Sequence, residues 1–136
     1  NLSHAHNRAL IAVSKAQEVG VDLEWVRSKV DVLNLSERYF APSEHAVIMQ
    51  TTEAQRTIIF FRYWVVKEAV LKAQGIGLRG LSDCEVILDQ DEGMKDVRIH
   101  LGSQFTGPLR VRLLSCGEGW EAAVAAQDLD VVRQGW

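Results

Sequence analysis

The run FRYWVVKEAVLKAQGIGL, Phe61 to Leu78, sets acids and bases at helical intervals. Trp64, Glu68 and Lys72 stand four residues apart, so a helix stacks them on one face. Lys67, beside Glu68, is expected to widen that face. A carboxylate between two lysines suits a metal ion that shares an anionic ligand. Upstream, GVDLE at Gly20 to Glu24 supplies a second acidic cluster. In a strand, Asp22 and Glu24 fall on the same face with Cα atoms ~6.6 Å apart. Carboxylates at that spacing reach a single hard cation. Each cluster also has an ordinary reading. Glu68 and Lys72 fit a surface ion pair worth ~0.3–0.5 kcal/mol. Asp22 and Glu24 fit the solvated face of an alternating strand.

The neighbouring elements must position these groups. Ala9 to Val13 and Val19 to Val26 read as strands, and their short connection suggests a hairpin between them. Asp31 to Phe40 reads as a helix with Asp31 or Asn34 as cap. Pro42 ends it and opens a second helix, Ser43 to Gln50. Thr52 with Gln55 fits a capping box, which starts the long helix near Glu53. That helix is apolar around much of its circumference, so it belongs in the core, and Trp64 reads as a core residue. Gly75 ends it in a left-handed cap, and Gly77 keeps the exit free of side chain. After Leu81 the pattern turns to strands: Cys84–Leu88, Val97–Leu101, Leu109–Ser115 and Trp120–Ala126, with a turn at Asp89–Gly93. The tail from Gln127 reads as loosely held. The fold class is α+β, with helices inserted between early and late strands of an antiparallel sheet.

Composition narrows the function. The 136 residues suit one domain, and the net charge of −3 leaves no electrostatic footprint for nucleic acid. No apolar run is long enough to span a bilayer, and the N-terminus carries no signal-peptide pattern. Cys84 and Cys116 have neither metal spacing nor a disulfide framework, so a reducing, cytoplasmic setting is expected. The chain opens on Asn1 and runs directly into strand-like residues, as a piece of a longer protein would.

Taken together, the clusters resemble the 4′-phosphopantetheinyl transferases of the Sfp type. GVDLE resembles that family's G-I/V-D-I/L/V-E motif. YWVVKEAVLKAQGIGL, from Tyr63, resembles its W-x-x-K-E-A/S-x-x-K…G-x-G-L motif. RYFAPSE, Arg38 to Glu44, resembles the segment between them, and NLSHAHNRALIAVS, from Asn1, resembles the segment before. Order and spacing agree from Asn1 to Leu78. Beyond Leu78 only the strand pattern matches. Ala5 departs from the family's serine.

The resemblance implies transfer of 4′-phosphopantetheine from coenzyme A to a serine of an apo acyl or peptidyl carrier protein. Adenosine 3′,5′-bisphosphate would leave. It implies Mg²⁺ on Asp22, Glu24 and Glu68, phosphate contacts from Lys67 and Lys72, and Glu68 as acceptor of the serine proton. Ser3 and His4 would contact the 3′-phosphate side of coenzyme A. Sfp-type enzymes are roughly twice this long and have two similar lobes. Residues 1–16 then read as the remnant of the first lobe, 17–127 as the transferase-like domain and 128–136 as a tail. Exposed lobe surface suggests pairing with another copy, including strand exchange. The rival reading is a non-catalytic module that binds coenzyme A or a carrier protein, or self-associates.

Overall fold

The structure, a computed structural model, describes residues 1–88, 96–130 and 132–135. The strands are β1 (Leu2–Ala5), β2 (Arg8–Ile11), β3 (Val19–Trp25), β4 (Cys84–Ile87), β5 (Arg98–Leu101), β6 (Arg110–Leu114) and β7 (Trp120–Ala126). Three helices, α1 (Val32–Tyr39), α2 (Pro42–Gln50) and α3 (Glu53–Gln74), lie between β3 and β4 in the chain. The α+β class and the insertion of helices between early and late strands are as expected. The expected Asp89–Gly93 turn lies outside the described residues.

Local signals explain most boundaries. Asp31 caps α1 by accepting the Asn34 N–H at 3.2 Å. Pro42 opens α2 at a position where its missing N–H costs nothing. Gly75 ends α3 at φ 68°, in the left-handed region. The Thr52 cap differs from expectation: α3 starts at Glu53, but the Thr52 side chain makes no capping bond.

The expected hairpin between the second strand and β3 does not form. β2 pairs with β1, while β3 pairs antiparallel with β7, Val19 opposite Ala126 and Trp25 opposite Trp120. The order of the main sheet is β3-β7-β6. The physical reason is burial. Val21 and Leu23 are nearly solvent-free against Val124 and Ala122 of β7, whereas β2 leaves Ile11 66% exposed. A strand that must bury both faces takes the partner that covers them.

Helix α3 fills the other side of this sheet. Phe60, Val66, Ala69, Val70 and Ala73 pack with Ala123 and Ala125 of β7 and Val111 of β6. Alanines on β7 let the helix sit close. The start of the tail is anchored rather than loose: Leu129 is 2% exposed and packs with Val21 and Val124. Gln17 also bonds both the N–H and the carbonyl of Asp128.

Candidate active site

Gly20 fixes the crossing of β3 and α3. A Cβ there would lie 2.0 Å from the Ala69 carbonyl oxygen and 2.5 Å from the Ala73 nitrogen. Only a residue without a side chain permits that approach. Alternation along β3 then turns Asp22 and Glu24 toward the same helix.

The two motifs meet residue by residue. Lys72 Nζ donates to the Val21 carbonyl at 2.9 Å and to Asp22 Oδ1 at 3.1 Å. Two turns earlier on α3, Trp64 Nε1 donates to Glu24 Oε1 at 3.2 Å. Glu24 Oε2 also lies 3.6 Å from Arg27 Nη1. Glu68 stands between Trp64 and Lys72 on the helix. Among the described residues, no hydrogen bond or ion pair holds its carboxylate.

The electrostatics of this group are unusual. Burial pushes the Asp22 carboxyl up to about 7, and the Glu24 charge adds to the rise. Lys72 pulls it down without cancelling it, and Glu68 raises it further. Burial raises Glu68 as well, with Lys72 opposing and Glu24 reinforcing. The carboxylates therefore feel one another, and one ammonium does not neutralise them. Asp22 Oδ2 is buried and has no hydrogen-bond partner among the described residues, which is costly unless something else binds it.

Three carboxylates and an orphaned carboxylate oxygen are the donor chemistry that a hard divalent cation takes. The fit lies in that chemistry. Among the described residues, no three metal-ligating side chains are gathered to metal-holding distance.

Two other residues stand differently from expectation. Lys67 does not share the Glu68 face. It is fully buried, with Nζ 2.6 Å from Glu44 Oε1 and a hydrogen bond to the Cys84 carbonyl. Successive helical residues diverge by about 100°, and that turn carries Lys67 under α2 and β4. It cannot reach phosphate from there. Ser3 is buried too. Its hydroxyl donates to Asp22 Oδ1 at 3.3 Å and accepts the Leu23 N–H at 3.1 Å. Direct contact with a nucleotide is closed to it in this arrangement. His4, the next residue on β1, is exposed.

Sequence reasoning missed three contributors. Glu44 fastens Lys67, accepts the Ala41 N–H at 2.8 Å and accepts the Val86 N–H at 2.7 Å. Its place three residues after Ala41, at the head of α2, was the available signal. The Trp64 indole serves the acidic cluster as well as the core, and its four-residue spacing from Glu68 pointed there. Gly20 stands in the GVDLE motif, but its role in letting β3 approach α3 shows only in the packing.

Comparison with known proteins gives the family and the fold. The sequence model of the 4′-phosphopantetheinyl transferase superfamily matches residues 18–125. The chain belongs to this superfamily. It is 42% identical over 95 residues to 4′-phosphopantetheinyl transferase HetI of Nostoc sp., covering 70% of this chain and 40% of that protein. It is 28% identical over 131 residues to 4′-phosphopantetheinyl transferase Sfp of Bacillus subtilis, covering 96% of this chain and 55% of that one. The chain thus spans between 40% and 55% of the length of these two relatives. Among solved structures it is similar to a holo-(acyl-carrier-protein) synthase from Bacillus anthracis in complex with CoA (3′,5′-ADP). There the TM-score is 0.58 at 17% identity, over 80% of this chain and 93% of that one. The holo-[acyl-carrier-protein] synthase of Thermotoga maritima matches with TM-score 0.58 at 21% identity, over 80% of this chain and 61% of that one. These likenesses establish the fold.

Proposed function

We propose that the chain carries the catalytic half of a transferase that moves 4′-phosphopantetheine from coenzyme A to a serine of an apo carrier protein. The observation that carries this reading is the facing of Asp22 and Glu24 on β3 by Glu68 and Lys72 on α3, with Asp22 Oδ2 buried and unpartnered. Phosphoryl transfer asks for positioning and charge neutralisation more than covalent help.

The serine hydroxyl attacks the β-phosphorus of coenzyme A. The new Ser O–P bond forms as the P–O bond to the departing adenosine 3′,5′-bisphosphate breaks. Glu68 suits the role of proton acceptor, because among the described residues no hydrogen bond or ion pair holds its carboxylate. Lys72 places an ammonium beside Asp22, where it offsets charge on the phosphates. Asp22, Glu24 and Glu68 would hold Mg²⁺. When bound, the ion supplies charge neutralisation at the pyrophosphate. His4 lies exposed on β1 and is retained as the contact for the 3′-phosphate side of coenzyme A. Ser3 and Lys67 have no direct contact in this reading.

Coenzyme A, an acyl or peptidyl carrier protein and a cytoplasmic setting belong to the same proposal. No helix among the described residues is long and apolar enough to cross a membrane. Pairing with a second copy is also proposed, because Leu2, Ile11 and Val13 are 53%, 66% and 89% exposed. Sedimentation showing a monomer at high concentration would remove that partner.

The test is mass spectrometry of an apo carrier protein incubated with this chain, coenzyme A and Mg²⁺. A gain of one phosphopantetheine mass on the carrier supports transfer. Binding of coenzyme A without any gain assigns the chain to the non-catalytic alternative.

A further inference from the structure

Asn1 and Ser3 lie against the edge of β3 that β7 leaves unpaired. Asn1 Oδ1 accepts the Val21 N–H at 2.9 Å, and Ser3 Oγ accepts the Leu23 N–H at 3.1 Å. Two side chains therefore take the place of a neighbouring strand's carbonyls. Here the two residues part company. Among the described residues the Asn1 side chain makes that one hydrogen bond to β3, whereas the Ser3 hydroxyl also donates to Asp22 Oδ1 at 3.3 Å.

The lone pairs of Asp22 follow from this. Oδ1 receives both Ser3 Oγ and Lys72 Nζ. Oδ2, buried with the rest of a side chain that is only 6% exposed, receives nothing. A carboxylate has about four lone-pair sites. Two donors on one oxygen pin the plane of the group and leave the other oxygen as its acceptor.

We propose that Ser3 is a positioning residue that orients Asp22 so that Oδ2 is presented to a divalent cation. This rests on the transferase reading above, and it gives the first strand a part in the site. Partners one step removed from a metal affect affinity because they hold the ligand's direction. Ser3 is buried between β1 and β3, which restrains its hydroxyl to these two bonds.

The experiment uses Mn²⁺ as the probe, followed by electron paramagnetic resonance with and without coenzyme A. The parent chain is compared with Ser3→Ala, Ser3→Thr and Asn1→Ala. Ser3→Ala is expected to weaken Mn²⁺ binding by about 10–100-fold. Ser3→Thr keeps the hydroxyl and is expected to stay near the parent. Asn1→Ala removes the same kind of strand-edge bond and is expected to leave Mn²⁺ binding alone. If Ser3→Ala does not fold, Ser3→Cys replaces it with a weaker donor, and the same direction of loss is expected. Equal losses for Asn1→Ala and Ser3→Ala would reduce Ser3 to an edge cap and overturn the inference. So would a Ser3→Ala chain that binds Mn²⁺ normally and loses only coenzyme A. A parent chain that takes up no Mn²⁺ in either condition would sink the transferase reading, and this inference with it.

Discussion

Lys67 Nζ lies 2.6 Å from Glu44 Oε1, and neither side chain has exposed surface. The pair ties α3 to the head of α2. Bonds from the Val86 N–H to Glu44 and from Lys67 to the Cys84 carbonyl bring β4 into the same knot. Burial raises the Glu44 carboxyl, while Lys67 and two backbone N–H groups oppose the rise. Removing one member strands the other in a dry interior. Lys67→Met is therefore expected to cost about 3–5 kcal/mol of stability, read as a lower urea midpoint. An unchanged midpoint would show that the pair contributes little.

Gly20→Ala is expected to be more damaging than its single methyl suggests. The added carbon would sit 2.0 Å from backbone, not from a movable side chain. Strand and helix must separate, at a cost of at least about 1–3 kcal/mol. Equilibrium unfolding measures this, and separation of the motifs should also lower cation uptake.

Stability of the metal-free protein should fall as pH rises from about 4 to about 7. Asp22 ordinarily ionises near 3.8, and burial followed by Glu24 pushes it up to about 7. Across that window the folded chain keeps a proton that the unfolded chain has released. Its contribution is complete below the lower value and is lost on passing the upper one. The loss is on the order of a few kcal/mol. Urea unfolding across this range should show the decline, and Asp22→Asn should reduce it, with Glu44 and Glu68, which burial also raises, contributing in the same direction.

Glu68→Gln keeps the shape of the side chain but removes the proton acceptor. The transfer rate is expected to drop about 10²–10⁴-fold. Lys72→Gln should act mainly on coenzyme A affinity. Isothermal titration with coenzyme A in the absence of divalent cation separates the two, because only the lysine change should then alter binding strongly.

Much of this arrangement was legible in residue spacing. Trp64, Glu68 and Lys72 share a helical face, Asp22 and Glu24 share a strand face, and each face is local geometry. Gly75 announced the end of α3 for the same reason. What spacing could not give was the rotational setting of α3 against distant elements. Lys67 and Glu68 are neighbours in sequence, and nothing between them says which one turns toward the core. The answer lies with Glu44, which reads alone as an ordinary charge on a short helix. Pairing of β3 was hidden likewise. A hairpin with the preceding strand is the shorter loop, but β7 buries more of Val21 and Leu23. Ser3 looked like a ligand contact because its motif placed it near the site, and only packing shows that its hydroxyl turns inward to Asp22.

The pairing of β3 with β7 also orders events during synthesis. The strand bearing Asp22 and Glu24 leaves the ribosome well before its partner, with all three helices between them in the chain. The three helices can form in the interval from local contacts, but the sheet must wait until β7 has emerged. Until then Val21 and Leu23 lack their β7 neighbours, so the nascent segment presents an apolar strand to chaperones throughout that interval.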